Sequence, residues 1–481
     1  MVGQGRAAWG LSLSLAFGLL AGGHAAAAPR DEVLAQVAAE RDAAVAMAQD
    51  LWSLAELGYQ ETRSSERLQR YLAERGFQVQ SGAAGMPTAF VASFGSGRPV
   101  IGLLAEFDAL PGLSQAAVPH RQALVERGAG HACGHHLFGA AAAAAGAAVA
   151  AWMAESGQPG TVRVYGTPAE EGGSGKVYMT RAGLFDDVDV VLHWHPSDRN
   201  DASPYSTTAN KSGRFTFQGV ASHAASAPER GRSALDGVEA MNFMVNLMRE
   251  HMPQDARVHY VITDGGSAPN IVPERAQVYY YVRHPQAKQV QALFQRVVAA
   301  AEAGALGTGT RMQYEVMHGN HPVLPNEVLA RLVHDNLTRL GGVRYDEAER
   351  AFATELRATL DGDLPPLVAA AQVQPYAMRQ NMGSTDVGDV SWTVPTVGFG
   401  TATWVPGTPA HSWQAVAAGG MSIGHRGMLL AARLLAMTTA DLLRRDDVRA
   451  AAWDEFEARR GPDFQYQALL GDRDPPLDYR R

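Results

Sequence analysis

Val162-Arg163-Val164-Tyr165-Gly166-Thr167-Pro168-Ala169-Glu170-Glu171 is a short apolar, β-branched run that breaks into a Gly/Pro loop and ends on two adjacent carboxylates. The pattern recurs along the chain. Residues 100–104 run into Glu106-Phe107-Asp108, residues 188–192 run into His193-Trp194-His195-Pro196, and residues 394–399 precede a Gly/Thr/Pro loop that reaches His411. Apolar runs bounded by turn residues predict strands buried on both faces, with helices between them. The fold class is therefore α/β with a mainly parallel sheet. In such sheets ligands bind beyond the carboxyl ends of the strands. Four strand ends here bring carboxylates or histidines to the same edge.

The Ala- and Gly-rich stretch 137–153 predicts a buried helix packed on that sheet, since it is short for a membrane span and its glycines permit close approach. Between about residues 211 and 320 the texture changes. Phe215 and Phe217 sit in a short alternating run, residues 233–251 predict an amphipathic helix, and 257–263 and 275–283 predict strands. A second helix over 286–303 and a strand over 311–317 complete the order β-α-β-β-α-β, that of a ferredoxin-like unit inserted into the larger domain. The expected division is thus 31–210 and 321–446 for the two parts of the larger domain and 211–320 for the insert. Residues 447–481, charged and Pro-containing, are expected to form an irregular or surface-wrapped tail.

A chain of 481 residues, 46% hydrophobic and 19% charged, exceeds one ordinary core and fits two domains. A net charge of −8 gives no reason to expect nucleic acid, whose phosphates demand a basic surface. The N-terminus pairs Arg6 with an apolar run over 11–21 and small residues at 25–28, the three parts of a signal peptide. The mature protein is expected to start near Pro29 and to be exported, periplasmic or secreted, with no integral membrane span after cleavage. Cys133 is the single cysteine, so an exported chain would have no internal disulfide.

Cys133 stands in Gly130-His131-Ala132-Cys133-Gly134-His135-His136. Cysteine and histidine two residues apart in a glycine-bordered turn can both point at one metal ion, and thiolate and imidazole are favoured zinc ligands. Spacing alone leaves a thiol nucleophile, with His135 or His131 as base, and an inert buried thiol equally open. In Glu170-Glu171 one carboxylate could hold a metal while its neighbour takes a proton. In isolation the pair would be a solvated acidic loop.

Eight motifs in one order carry a resemblance: EFDALPGLSQ (106–115), HACGHHLFGA (131–140), GTPAEEGGSGK (166–176), WHP (194–196), GVASHAA (219–225), APNIVP (268–273), GSTDVGDVSW (383–392) and AHSWQ (410–414). From about Asp31 to Asp446 the chain resembles the metal-dependent aminoacylase/carboxypeptidase family, peptidase family M20. Its motifs are nearest those of the p-aminobenzoyl-glutamate hydrolase branch, related to the auxin-conjugate amidohydrolases. The resemblance implies hydrolysis of an amide in an N-acyl or N-aroyl amino acid or a dipeptide, with two divalent metal ions per subunit, Zn or Mn. It implies a ferredoxin-like lid that also dimerises, so a homodimer acting on a small-molecule amide is expected. The implied metal ligands are Cys133, His135, Glu171, His195 and His411, and Glu170 is the implied general base. His223 matches the lid histidine that reaches the partner's active site to stabilise the oxyanion.

Other assignments stay open at this point. Asn270 and Arg283 would contact a substrate carboxylate, though Arg283 could equally be a surface arginine on a strand. Asp108 would orient a ligand or simply end a strand. Trp392 or Trp404 would line an apolar pocket. Two departures bear on the site: His136 stands where many relatives have an acidic residue or Asn, and His193 competes with His195 as ligand. The rival readings are a cysteine-dependent hydrolase using Cys133 and a non-catalytic binding protein on the same fold, which would have no need of Glu170.

Overall fold

The computed structural model describes residues 1–4 and 29–480; the expected signal peptide lies, from residue 5 to residue 28, outside the described residues. The strands in chain order are β1 (Gln78–Ser81), β2 (Phe90–Ser96), β3 (Val100–Ala105), β4 (Gly160–Gly166) and β5 (Val190–Ser197). A two-residue strand β6 (Tyr205–Ser206) precedes β7 (Ala209–Gln218), β8 (Arg257–Asp264), β9 (Arg275–His284) and β10 (Arg311–Asn320). Strands β11 (Arg379–Gln380) and β12 (Thr396–Ala402) follow.

The large sheet runs β1-β2-β4-β3-β5-β12. Strands β4, β3, β5 and β12 are mutually parallel, and β1 and β2 add an antiparallel edge. All six residues of β3 are buried, as an unbroken apolar run requires when helices cover both faces. The sheet is therefore mostly parallel, within a mixed α/β fold. Helix His135–Ser156 packs on this sheet and against helix Ser422–Arg444. A Cβ on Gly139 would stand 2.7 Å from the Glu106 carbonyl oxygen, so glycine is what lets the start of this helix meet the end of β3.

Residues 209–320 build a second sheet with its own core. It is antiparallel, ordered β10-β7-β9-β8, with helices Ala234–Met248 and Ala287–Thr308 against one face. The period-2 rule is visible on β9. Ala276, Val278, Tyr280 and Val282 are buried under the helices, leaving Tyr279, Tyr281 and Arg283 on the opposite face. Arg214 lies opposite Tyr279 and Asn210 opposite Arg283 on β7.

The charged tail departs only in its first part from the expectation of an irregular or surface-wrapped segment. It opens with helix Asp446–Arg460, which buries Val448, Ala452 and Phe456 at four-residue spacing. The stripe is narrow but sufficient to dock a helix. Beyond it, residues 461–480 form a strap across both lobes. Leu469 is buried in the core of the second lobe and Leu470, the next residue, in the main core. Arg181 Nη1 donates to the carbonyls of Gly471 and Arg473, both at 2.8 Å, which holds the strap down.

Candidate functional site

The carboxyl ends of β3, β4 and β5 and the loop after β12 open onto one cleft. Gly134, with φ 78°, turns the chain from Cys133 directly into the helix that starts at His135. Ala169 is left-handed at φ 56° and His411 at φ 59°, conformations that non-glycine residues keep only where their surroundings fix them. The fixing contacts are present. The Ala169 amide donates to the fully buried Glu61 Oε1 at 2.8 Å, and the His411 amide to the Ala132 carbonyl at 2.9 Å.

These turns gather Cys133, His135, Glu170, Glu171, His195 and His411. Their donor atoms fall into three overlapping groups, Cys133/His135/His195, Cys133/Glu171/His411 and His135/Glu170/Glu171, each with atoms within 4.8 Å of one another. Cys133 Sγ lies 3.4 Å from His195 Nε2, and His411 Nε2 lies 3.1 Å from Glu171 Oε1. The residues fit divalent metal ions. The donor set of thiolate, imidazole and carboxylate is one that zinc and similar ions take. His135 Nε2 and Glu171 Oε1 are buried with no hydrogen-bond partner, as ligand atoms reserved for an ion would be.

Behind the cluster lies a buried ionic network. Asp108 accepts from His135 Nδ1 at 2.8 Å and from the Glu171 amide at 2.9 Å, so one carboxylate orients two members of the cluster. Glu106 Oε2 sits 3.0 Å from His135 Nε2 without hydrogen-bond geometry. Its other oxygen pairs with Lys176 Nζ at 2.7 Å, and the same ammonium pairs with Asp386 at 2.7 Å. Lys176 is fully buried.

The surroundings separate the two adjacent glutamates. Burial, with repulsion from Glu106 and Glu171, pushes the Glu170 carboxyl well above its ordinary range. Burial also acts upward on Glu171, but the adjacent His411 imidazole and the charge of His135 outweigh it and hold that carboxyl low. Neighbouring carboxylates pushed apart in this way are suited to different tasks.

Not every residue singled out in the sequence comes to the cluster. His193 lies one pleat back on β5, with Nε2 3.4 Å from Tyr205 Oη, while His195 faces Cys133. His136 turns away to Gly419, Nε2 to carbonyl oxygen 3.1 Å. Arg283 lines the pocket of about 440 Å³ above Glu170, Glu171 and His411. His223 and Asn270 do not line it; they are exposed together on the second lobe, where the Ala224 amide donates to Asn270 O at 3.0 Å. Trp392 and Trp404 do not form its apolar wall either. Trp392 packs on Phe464 with ring centroids 4.6 Å apart, and Trp404 is buried in a separate small cluster. Tyrosines 279, 281 and 479 take that place.

Sequence reasoning passed over Lys176 and Asp386, although both stand inside the quoted motifs. A lysine five residues after Glu171 in a glycine-rich stretch was the available signal. Tyr479 and Arg480 had none, because their contacts with Glu171 span more than 300 residues.

Comparison with known proteins gives four findings. The model of a family described as peptidase family M20/M25/M40 matches residues 102–415. Over 433 residues the chain is 42% identical to a p-aminobenzoyl-glutamate hydrolase subunit of Escherichia coli K12, covering 84% of this chain and 90% of that protein. It is 32% identical over 453 residues to the Xaa-Arg dipeptidase of Mus musculus, covering 89% and 93%. Among solved structures, a dinuclear metal-binding peptidase of the M20 family from Bacillus subtilis shares the fold. Its TM-score is 0.57 at 19% identity, covering 84% of this chain and 99% of that one.

Proposed function

We propose that this chain, which belongs to peptidase family M20/M25/M40 and hydrolyses amide bonds of acyl-amino acids or dipeptides, cleaves an N-acyl or N-aroyl amino acid of the p-aminobenzoyl-glutamate kind. The observation that carries the reading is the convergence of six donor side chains on one cleft, with ligand atoms left unpartnered. Cys133, His135, Glu171, His195 and His411 would hold two divalent ions, zinc or manganese. When bound, such ions polarise a carbonyl and lower the pKa of water.

The chain's own residues account for the rest of the reaction. Glu170 accepts a proton from the attacking water and returns it to the departing amine. Asp108 keeps His135 in one tautomer and orientation. Arg283, in the pocket, presents its fork to the substrate α-carboxylate. A nucleophilic Cys133 has weaker support, because it leaves unexplained the gathering of Glu170, Glu171, His195 and His411 around the thiol.

The second lobe acts in this proposal as a ferredoxin-like lid and dimerises. Val261 and Ile262 on the edge strand β8 and Phe243 and Leu247 on the adjoining helix are exposed, an apolar strip that a second copy would cover. Asn270 and His223 would then enter the partner's site. His223 Nδ1 accepts from the amides of Ala225 and Ser226, both at 3.2 Å, which leaves Nε2 as a donor for the oxyanion. Export, with residues 1–28 as a removable signal peptide, belongs to the proposal on the sequence argument alone.

Elemental analysis tests the centre. Active protein should carry about two divalent ions per chain, and Cys133→Ser should lose metal because a hydroxyl is a much poorer ligand than thiolate. Absence of stoichiometric metal from active protein would sink the reading. Mixing tests the assembly: His223→Ala and Glu170→Gln chains, each inactive alone, should regain activity as mixed dimers. No recovery after verified chain exchange would restrict His223 to its own protomer or remove it from the reaction.

A further inference from the structure

The turn that carries both glutamates has little regular structure of its own. Ala169, Gly172 and Ser174 have left-handed backbones, at φ 56°, 92° and 63°. Glu171 sits among them at φ −70° and ψ 62°, the torsions of an inverse γ-turn. A hydrogen bond from the Gly173 amide to the Ala169 carbonyl, at 3.0 Å, closes the turn. The peptide groups on either side of Glu171 are held from outside it.

Two sets of contacts grip them. In the main lobe, Asp108 accepts from the Glu171 amide at 2.9 Å, and Tyr59 Oη donates to the Gly173 carbonyl at 2.6 Å. From the strap, Arg480 Nη2 and Tyr479 Oη donate to the Glu171 carbonyl at 2.7 and 3.1 Å. The amide contact constrains φ of Glu171 and the carbonyl contact constrains ψ. Together they set the direction in which its side chain leaves the backbone.

The strap tip is itself seated. The Tyr479 ring meets Tyr59 edge-on, with centroids 5.7 Å apart, and Arg480 lies over the Tyr479 ring at 5.0 Å. A Cβ on Gly58 would collide with Tyr479 Oη, so glycine there makes room for the hydroxyl. Upstream, Tyr466 Oη donates to Asp389 at 2.7 Å, Leu469 and Leu470 enter the two cores, and Arg473 pairs with Glu315 at 2.7 Å. Those anchors fasten the strap to the scaffold. The contacts of Tyr479 and Arg480 end on the reactive turn.

We propose that the end of the strap is a positioning element for the reaction. By holding the Glu171 carbonyl, Tyr479 and Arg480 aim the Glu171 carboxylate into the donor cluster and keep Glu170 in its place beside it. The inference rests on the hydrolase reading above, and it gives residues more than 300 positions away a part in arranging the centre. Misplacement of a reacting group by about 1 Å can cost ~10²-fold in rate, so a contact that fixes one backbone torsion has leverage on turnover.

The test uses a chain ending at Leu477, which keeps the upstream anchors, together with Tyr479→Phe, Arg480→Ala and Arg480→Lys. The shortened chain should exchange the amides of residues 170–174 faster than the wild type, and its cobalt(II)-loaded form should show an altered visible spectrum. Tyr479→Phe keeps the ring and the pocket wall, and should lower kcat for N-benzoylglutamate more than it raises KM. Arg480→Ala should lose about 10-fold or more in kcat, the scale of a charge-assisted hydrogen bond. Arg480→Lys should recover part of that loss, since an ammonium can still donate to the carbonyl. Unchanged exchange and cobalt spectrum in the shortened chain would overturn the proposal. So would losses confined to KM in Tyr479→Phe and Arg480→Ala, which would make the pair a wall of the pocket and nothing more. A wild type that binds no cobalt and cleaves nothing, while its shortened form still exchanges faster at 170–174, would refute the hydrolase reading and leave the strap's hold on the turn standing. An active, metal-loaded wild type whose variants match it in exchange, spectrum and kcat would do the reverse.

Discussion

Glu170→Gln is expected to lose about 10²–10⁴-fold in turnover while keeping its fold and metal, the range that a positioned general base supplies. Glutamine matches glutamate in volume, so the gathering of Cys133, His135, Glu171, His195 and His411 should survive. What it lacks is an oxygen that can take and return a proton. Environment already divides Glu170 from Glu171: the first holds its proton more tightly than an ordinary carboxylate, the second less. The measurement is kcat at matched metal content for both proteins. A near-normal kcat in a fully metallated variant would assign the proton transfer to another group, and a loss of metal in parallel with activity would make Glu170 a ligand instead.

Lys176→Met should destabilise the protein by about 3–5 kcal/mol, the usual consequence of removing one partner of a buried ion pair. The ammonium is fully buried and pairs at 2.7 Å with both Glu106 and Asp386. Methionine fills much the same volume but leaves those carboxylates facing each other without a counterion. The loss should appear as a lower urea midpoint for the main transition. Adding Asp386→Asn should recover part of it, because the two positions share one network. An unchanged midpoint in the single variant would mean that water or rearrangement compensates the charge.

The parallel sheet was legible because strands covered on both faces carry unbroken apolar runs, as β3 does from Val100 to Ala105. Glu170, Glu171 and His195 were legible because they sit at or just beyond a strand end, where the fold class puts ligands. Cys133, His135 and His411 lie in or after longer loops and were legible through their motifs. His195 could be preferred over His193 only through the resemblance, since both lie on the same face of β5 and residue type cannot separate them. The helix Asp446–Arg460 was missed because its charges mask a stripe of only Val448, Ala452 and Phe456. The aromatic wall was misassigned to tryptophans. What brings Tyr279 and Tyr281 to the pocket is the alternation of β9, together with which face the helices cover, and the latter is a tertiary fact. Arg480 illustrates the limit most clearly, because nothing local to a residue indicates that it will meet one 309 positions earlier.

Leu469 and Leu470 are consecutive, yet one is rooted in the core of the second lobe and the other in the main core. Such a peptide can dock only on surfaces that already exist, at a distance and angle already set. Closure of the pocket wall by Tyr479 and Arg480 therefore depends on both lobes being in place. A chain truncated before residue 461 would keep the residues of both sheets and every member of the donor cluster, but would lack the wall carried by Tyr479 and Arg480.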